Sequence, residues 1–193
     1  MTCGYGARRE AAGVDEADPQ GHRPPLEVTG QRVAQAARVT KHSAGILLFR
    51  RSARGLEVLL VHPGGPYWAK KDLGAWSIPK GEHTEEEDAL SVAKREFEEE
   101  LGVALSGTPR ELGAATQRSG KHVLAWAVEG DFDPSQLRSN TFAMEWPPRS
   151  GRQREFPEVD RAAWMNIAEA RQKMLEAQTV FLDRLIDLLG SDA

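Results

Sequence analysis

The sequence predicts an α/β fold in which a mixed β-sheet is sandwiched between α-helices. Two observations carry that reading: apolar runs of strand length alternate with two stretches of helical period, and clusters of Gly, Pro and Ser separate them. A third bounds it, since 193 residues with 40% hydrophobic content suffice for one good core. One folded domain is expected from about residue 41 to 190, behind a flexible leader over residues 1–40.

The leader is rich in Gly, Ala, Arg and acidic residues, contains Pro19, Pro24 and Pro25, and has no sustained apolar period before Val33 to Val39. It has no apolar run of the length a signal peptide or membrane span needs, so secretion and insertion are not expected. Cys3 is the one cysteine; no internal disulfide can form, and the cytoplasm is the natural compartment. A formal net charge of −4 argues against a dedicated nucleic-acid binder.

From there the elements follow in order. Residues 42–49 (HSAGILLF) and 56–61 (LEVLLV) read as a buried strand and its hairpin partner. Residues 62–72 (HPGGPYWAKKD) read as a surface loop with aromatic and cationic tips. Residues 111–116 and 121–129 read as two more strands about the Ser119-Gly120 turn, and His122 at the start of the second is better suited to structure than to proton transfer. Residues 139–146 form another extended piece, and residues 147–156 (PPRSGRQREF) a flexible basic loop. Finally Ile167, Ala170, Met174, Ala177, Phe181, Leu185 and Leu188 mark the stripe of one long amphipathic helix. That stripe suits the core, with a dimer contact as its other use, so a monomer or homodimer is expected.

The stretch from Gly81 to Val103 carries the chemistry. Thr84 and Glu87 make a capping-box pattern for a helix with acids in its first turn, and Gly102 stands where a left-handed stop is usual. Leu90, Ala93, Phe97 and Leu101 form its apolar stripe. Glu96, Glu99 and Glu100, spaced three and four apart, bring three carboxylates to one side of about one turn. They repel one another and oppose the helix dipole, so a cation is expected among them. Oxygen donors so crowded suit a hard divalent ion, Mg²⁺ or Mn²⁺. Arg95, beside the acids, is suited to orienting a neighbouring carboxylate through a bidentate pair.

The order Gly81, Glu87, Arg95-Glu96, apolar Phe97, Glu99-Glu100, Gly102, apolar Val103 resembles a complete Nudix box, with no position departing from the pattern. The approach to it, Trp76-Ser77-Ile78-Pro79-Lys80-Gly81, is similar to that of the Nudix branch acting on dinucleoside polyphosphates. The resemblance implies the Nudix fold and a Mg²⁺- or Mn²⁺-dependent hydrolysis of a pyrophosphate bond in a nucleoside diphosphate linked to another group. It further implies metal ligation by Glu96, Glu99, Glu100 and the Gly81 carbonyl, together with a later carboxylate. Glu158, just before the strand containing Trp164, matches that placement; Glu155 and Glu145 are its competitors. Glu99 and Glu158 are both candidates to take the proton of the attacking water.

Substrate contacts are expected from Lys80, Tyr67, Trp68 and Lys71, where a ring would stack on a base and a lysine meet phosphate, and from Arg149, Arg152 and Arg154. Packing on the domain is the competing use for Trp68, and a solvated charge that for Lys80. A small-molecule nucleotide, most simply a dinucleoside polyphosphate such as diadenosine tetraphosphate, is the expected substrate. A nucleoside triphosphate or an RNA 5′ end is the alternative, and a non-catalytic nucleotide sensor on the same scaffold is the reading from another class. No membrane partner is expected, and no nucleic acid beyond an RNA 5′ end.

Overall fold

The computed structural model describes residues 41–191; the leader expected over residues 1–40, Cys3 included, lies outside them. Burial on both faces defines its central strand. In β1 (His42–Ser52) every residue from Ser43 to Phe49 is buried, and alternate side chains enter two different cores. Ala44, Ile46 and Leu48 join one apolar cluster, Leu47 and Phe49 the other. β2 (Gly55–Pro63) is the expected hairpin partner, antiparallel and closed at Ser52 opposite Gly55. Both strands continue past their apolar runs into the turn.

The eleven residues of β1 are enough to carry two partners along one edge. β2 pairs with its second half, and the short β3 (Lys80–His83) pairs antiparallel with its first, Gly45 opposite Lys80 and Ala44 opposite Gly81. The sequence KGEH has no strand composition, so β3 exists only because β1 offers it an edge. Along the other edge β5 (His122–Glu129) runs parallel to β1, and β4 (Arg110–Thr116) antiparallel to β5. β8 (Val159–Asn166) closes the far margin against β2. The order β4-β5-β1-β2-β8, with β3 beside β1, is the mixed sheet expected.

Helix α1 (Ala89–Leu101) covers one face through Val92, Ala93, Phe97 and Leu101, while Leu90 is only half-buried. Its start differs from the expectation. Thr84 and Glu87 do bond to each other, the Thr84 N–H donating to the Glu87 carboxylate at 2.9 Å, but they close a separate turn. Asp88 caps the helix instead, accepting from the Ser91 N–H at 2.9 Å, and the first turn holds no acid. Gly102 ends it at φ 79°, the left-handed conformation glycine adopts without strain.

The expected long C-terminal helix is two helices, α2 (Ile167–Lys173) and α3 (Val180–Gly190), which cover the other face. Met174 is extended and forms a parallel bridge with Trp76; the Trp76 N–H donates to Lys173 O and the Leu175 N–H to Trp76 O. Those tertiary bonds outcompete a helix whose periodicity contains no breaker. The expected basic loop is likewise half strand. β6 (Thr141–Glu145) and β7 (Gln153–Pro157) form a separate hairpin, leaving only residues 146–152 as its loop.

Arg50 links the two strands of the first hairpin to each other and to the segment after β5. Glu57 is 4% exposed and accepts from Arg50 Nε at 2.9 Å, while Arg50 reaches Asp131 and lies over the Trp164 ring. The Arg50 hydrogen bond holds the Glu57 carboxyl below its usual value of 4.5. A depressed carboxylate stabilises the fold above its unfolded pKa, and that contribution is lost as pH falls through the folded one. Glu57→Gln is therefore expected to melt below the parent at pH 7 and to approach it at pH 3; a gap independent of pH would contradict this role.

Candidate active site

The site begins with a missing side chain. β3 sets Gly81 beneath α1, where a Cβ would fall on the carboxyl group of Glu96. Only glycine leaves room for that carboxylate to lie on the strand backbone. Arg95, one residue earlier, donates from Nη2 to Glu96 at 3.0 Å, and its other nitrogens lie 3.6 Å from Glu87 and 3.8 Å from Glu99. It thus spans three carboxylates, where the sequence suggested a bidentate pair with one. Glu100 is held differently, accepting the backbone N–H of Lys80 at 3.2 Å.

Charge in this cluster is under-compensated. Burial pushes the Glu100 carboxyl up to about 7, with the charges of Glu96 and Glu158 adding and the Lys80 ammonium opposing. Lys80 is pushed down by its own burial and supported by Glu100, Glu96 and Glu82. Its ammonium therefore answers carboxylates of the cluster before any phosphate arrives.

Glu158 is the later carboxylate whose charge reaches Glu100. It lies between β7 and β8 on a fixed backbone, its N–H donating to Asn140 O and its carbonyl accepting from the Gly64 N–H, both at 2.8 Å. Glu155 is exposed on β7 opposite Ala143, and Glu145 accepts from the Gly151 N–H within the hairpin loop. The Asn140 N–H in turn meets Glu99 O at 3.4 Å, so the base of the hairpin is joined to the last turn of α1.

The remaining candidates are dispersed. Trp68 is half-buried against the α2–α3 core, with the Lys71 ammonium 4.4 Å from its ring centre, whereas Tyr67 is exposed. Arg149, Arg152 and Arg154 are exposed around the hairpin. His122 stacks edge-on to His42. Trp146, which sequence reasoning left without a role, meets Tyr67 ring to ring; the alternation Phe142, Met144, Trp146 was the signal available.

The donors fit a hard divalent cation: they are all oxygens, and the Gly81 hollow lets one carboxylate sit on the strand. Among the described residues no group of three or more His, Cys, Asp or Glu is placed closely enough to hold a metal ion by side chains alone. An open set suits Mg²⁺, which keeps waters and shares its shell with substrate phosphates. A polar cleft of about 440 Å³ lined by Arg95, Glu98, Glu99, Gly102, Arg138 and Asn140 opens beside it. A larger one, about 660 Å³, lies by Met174 and Leu175 and includes none of these carboxylates.

Solved structures share the fold. The C. elegans Ap4A hydrolase binary complex is 19% identical, with 77% of this chain and 98% of that one covered and a TM-score of 0.54. The NUDIX domain of Shewanella oneidensis NrtR, complexed with ADP ribose, is 14% identical, with coverages of 81% and 92% and a TM-score of 0.54. The C-terminal domain of mouse MUTYH, in complex with human PCNA, is 17% identical, with coverages of 78% and 90% and a TM-score of 0.51. No curated protein matches the chain at the sequence level. A family model described as the NUDIX domain matches residues 39–185, most of the sequence and all of the carboxylate site, and the chain belongs to the NUDIX family of pyrophosphohydrolases.

Proposed function

We propose that the chain uses Mg²⁺ or Mn²⁺ to hydrolyse a pyrophosphate bond in a dinucleoside polyphosphate such as diadenosine tetraphosphate, within a catalytic domain of about residues 41–190 in the cytoplasm. The observation that carries this reading is the Glu96 carboxyl group lying over the bare α-carbon of Gly81, with Glu99 and Glu100 on the same helix and Glu158 within electrostatic reach. Glu96, Glu99, Glu100, Glu158 and the Gly81 carbonyl would hold the metal. Bound there, a divalent ion neutralises phosphate charge and makes a water more acidic.

The side chains do the rest. Arg95 bridges Glu96 and Glu99 and orients them, and the Lys80 ammonium would meet a phosphate oxygen. Glu158 is the better of the two candidate bases, because its backbone is held at both its N–H and its carbonyl. Tyr67, Lys71, Arg152 and Arg154 would contact the rest of the substrate, while Trp68, with Lys71 over its ring, serves mainly to support the loop. The dinucleoside polyphosphate rests on the sequence approaching Gly81 and agrees with the fold shared with the C. elegans Ap4A hydrolase.

A Mg²⁺-dependent hydrolysis screen tests it, using diadenosine tetraphosphate, nucleoside triphosphates, nucleotide sugars and 5′-triphosphorylated RNA with products resolved. ATP and AMP are expected from the first. Faster cleavage of another member would replace the substrate and keep the chemistry. No turnover of any, with nucleotide still bound, would replace the enzyme by a sensor.

A further inference from the structure

The last buried position of β2 holds a histidine, where Val58, Leu59, Leu60 and Val61 precede it. His62 has no exposed surface, yet both ring nitrogens have partners: Nε2 lies 2.7 Å from Lys71 O, and Nδ1 lies 2.7 Å from Asp160 Oδ1 on β8. A carbonyl oxygen only accepts, so Nε2 carries the N–H given to Lys71, and Nδ1 shares a proton with the Asp160 carboxyl group. The bond at one ring nitrogen fixes the ring's orientation and what the other nitrogen can do. Asp160 therefore aims the N–H at the loop.

The ring closes the loop that starts from it. From His62 the chain runs through Pro63-Gly64-Gly65-Pro66 and winds so that the Trp68 N–H donates to Gly65 O at 3.2 Å and the Lys71 N–H to Trp68 O at 2.7 Å. Nine residues on, it returns to the side chain it left. Asp72, next in the chain, accepts from Trp76 Nε1 at 2.8 Å, and the Trp76 ring stands edge-on to His62 with centres 5.2 Å apart. This loop carries Tyr67 and Lys71. For packing alone an apolar residue would serve at position 62, because a buried imidazole gains nothing over carbon beyond the hydrogen bonds it makes. A ring that reaches a loop carbonyl gives the loop a fixed place, and Asp160 anchors that ring to β8.

We propose that His62 is a positioning residue for substrate binding: Asp160 orients its ring, and its Nε2–H, through the Lys71 carbonyl, sets the loop that presents Lys71 and Tyr67. The idea rests on the catalytic reading for its substrate contacts, and part of its test does not require turnover. His62 then acts on affinity and not on the bond-breaking step, since Glu158 is fixed by its own backbone bonds to Asn140 and Gly64.

Two substitutions of similar shape separate this from packing. Gln places its amide nitrogen about where Nε2 lies and can still donate to Lys71 O, whereas Asn places its nitrogen about where Nδ1 lies and cannot reach that carbonyl. KM and kcat for the nucleotide that the parent hydrolyses, and amide hydrogen exchange over residues 64–72, are measured for His62→Asn, His62→Gln and Asp160→Ala. His62→Asn is expected to raise KM about fivefold with kcat within about twofold, and to speed exchange in the loop about tenfold. His62→Gln should keep both KM and exchange within about twofold of the parent. Asp160→Ala, at a side chain already 28% exposed, leaves the ring unaimed and should raise KM at least about twofold; it carries the test alone if His62→Asn does not fold. Equal effects of Asn and Gln, a fall in kcat at unchanged KM, or a KM indifferent to Asp160→Ala would overturn the proposal. A loop loosened by Asn and not by Gln, in a protein whose parent hydrolyses nothing, would support the clamp while removing the enzyme. Turnover in the parent with loop exchange indifferent to both substitutions would do the reverse.

Discussion

Glu99→Gln is expected to lower kcat by about a thousandfold while the protein folds as before. The substitution keeps the shape of the side chain and removes one negative charge from the last turn of α1. Its cost to stability is small, because the pair with Arg95 is 3.8 Å long and both side chains are more than 40% exposed. In the metal-free protein the change even relieves repulsion with Glu96, three residues earlier. Loss of activity with an unchanged melting temperature would therefore report chemistry. Retained kcat would remove Glu99 from the machinery and leave Glu96, Glu100 and Glu158 to account for it, which Glu158→Gln run in parallel would decide.

Gly81→Ala is expected to fail differently. Its Cβ has to displace the Glu96 carboxyl group, the far end of a flexible side chain that Arg95 holds at 3.0 Å. A flexible side chain can swing away at little cost to the fold, but a shifted ligand typically weakens metal affinity about 10- to 100-fold. Activity should therefore fall at limiting Mg²⁺ and recover in part at saturating Mg²⁺, with little change in melting temperature. Gly190→Ala is the matched control, since no atom lies within 4 Å of a Cβ there. A variant of Gly81 with the parent's Mg²⁺ dependence would show that Glu96 works from another position.

Helix α1 was legible in the sequence because its information is local: spacing puts the acids together, and Gly102 can take the left-handed stop without help. Its start was not, since Thr84 to Glu87 and Asp88 to Ser91 are overlapping patterns with the same capping chemistry, and both form. Where partners are remote the sequence misleads. The periodicity from Ile167 to Leu188 is that of one helix, and nothing in it says that Met174 and Leu175 bond to the backbone of Trp76. β3 and β7 are visible only once β1 and β6 exist to pair with them. The same holds in the site. Glu96, Glu99 and Glu100 are near in sequence, whereas Trp146 packs on Tyr67, far away along the chain.

The break between α2 and α3 also sets an order of assembly. The Trp76 backbone bonds to Lys173 and Leu175, and the Gln178 side chain accepts the Ile78 N–H at 3.1 Å, so residues 173–178 brace the segment that delivers Gly81 to Glu96. A nascent chain stopped short of Gln178 would carry every proposed ligand and still lack the brace that aligns them. The proposed ligands lie between residues 81 and 158, but the brace that aligns them exists only once residues 173–178 have been translated.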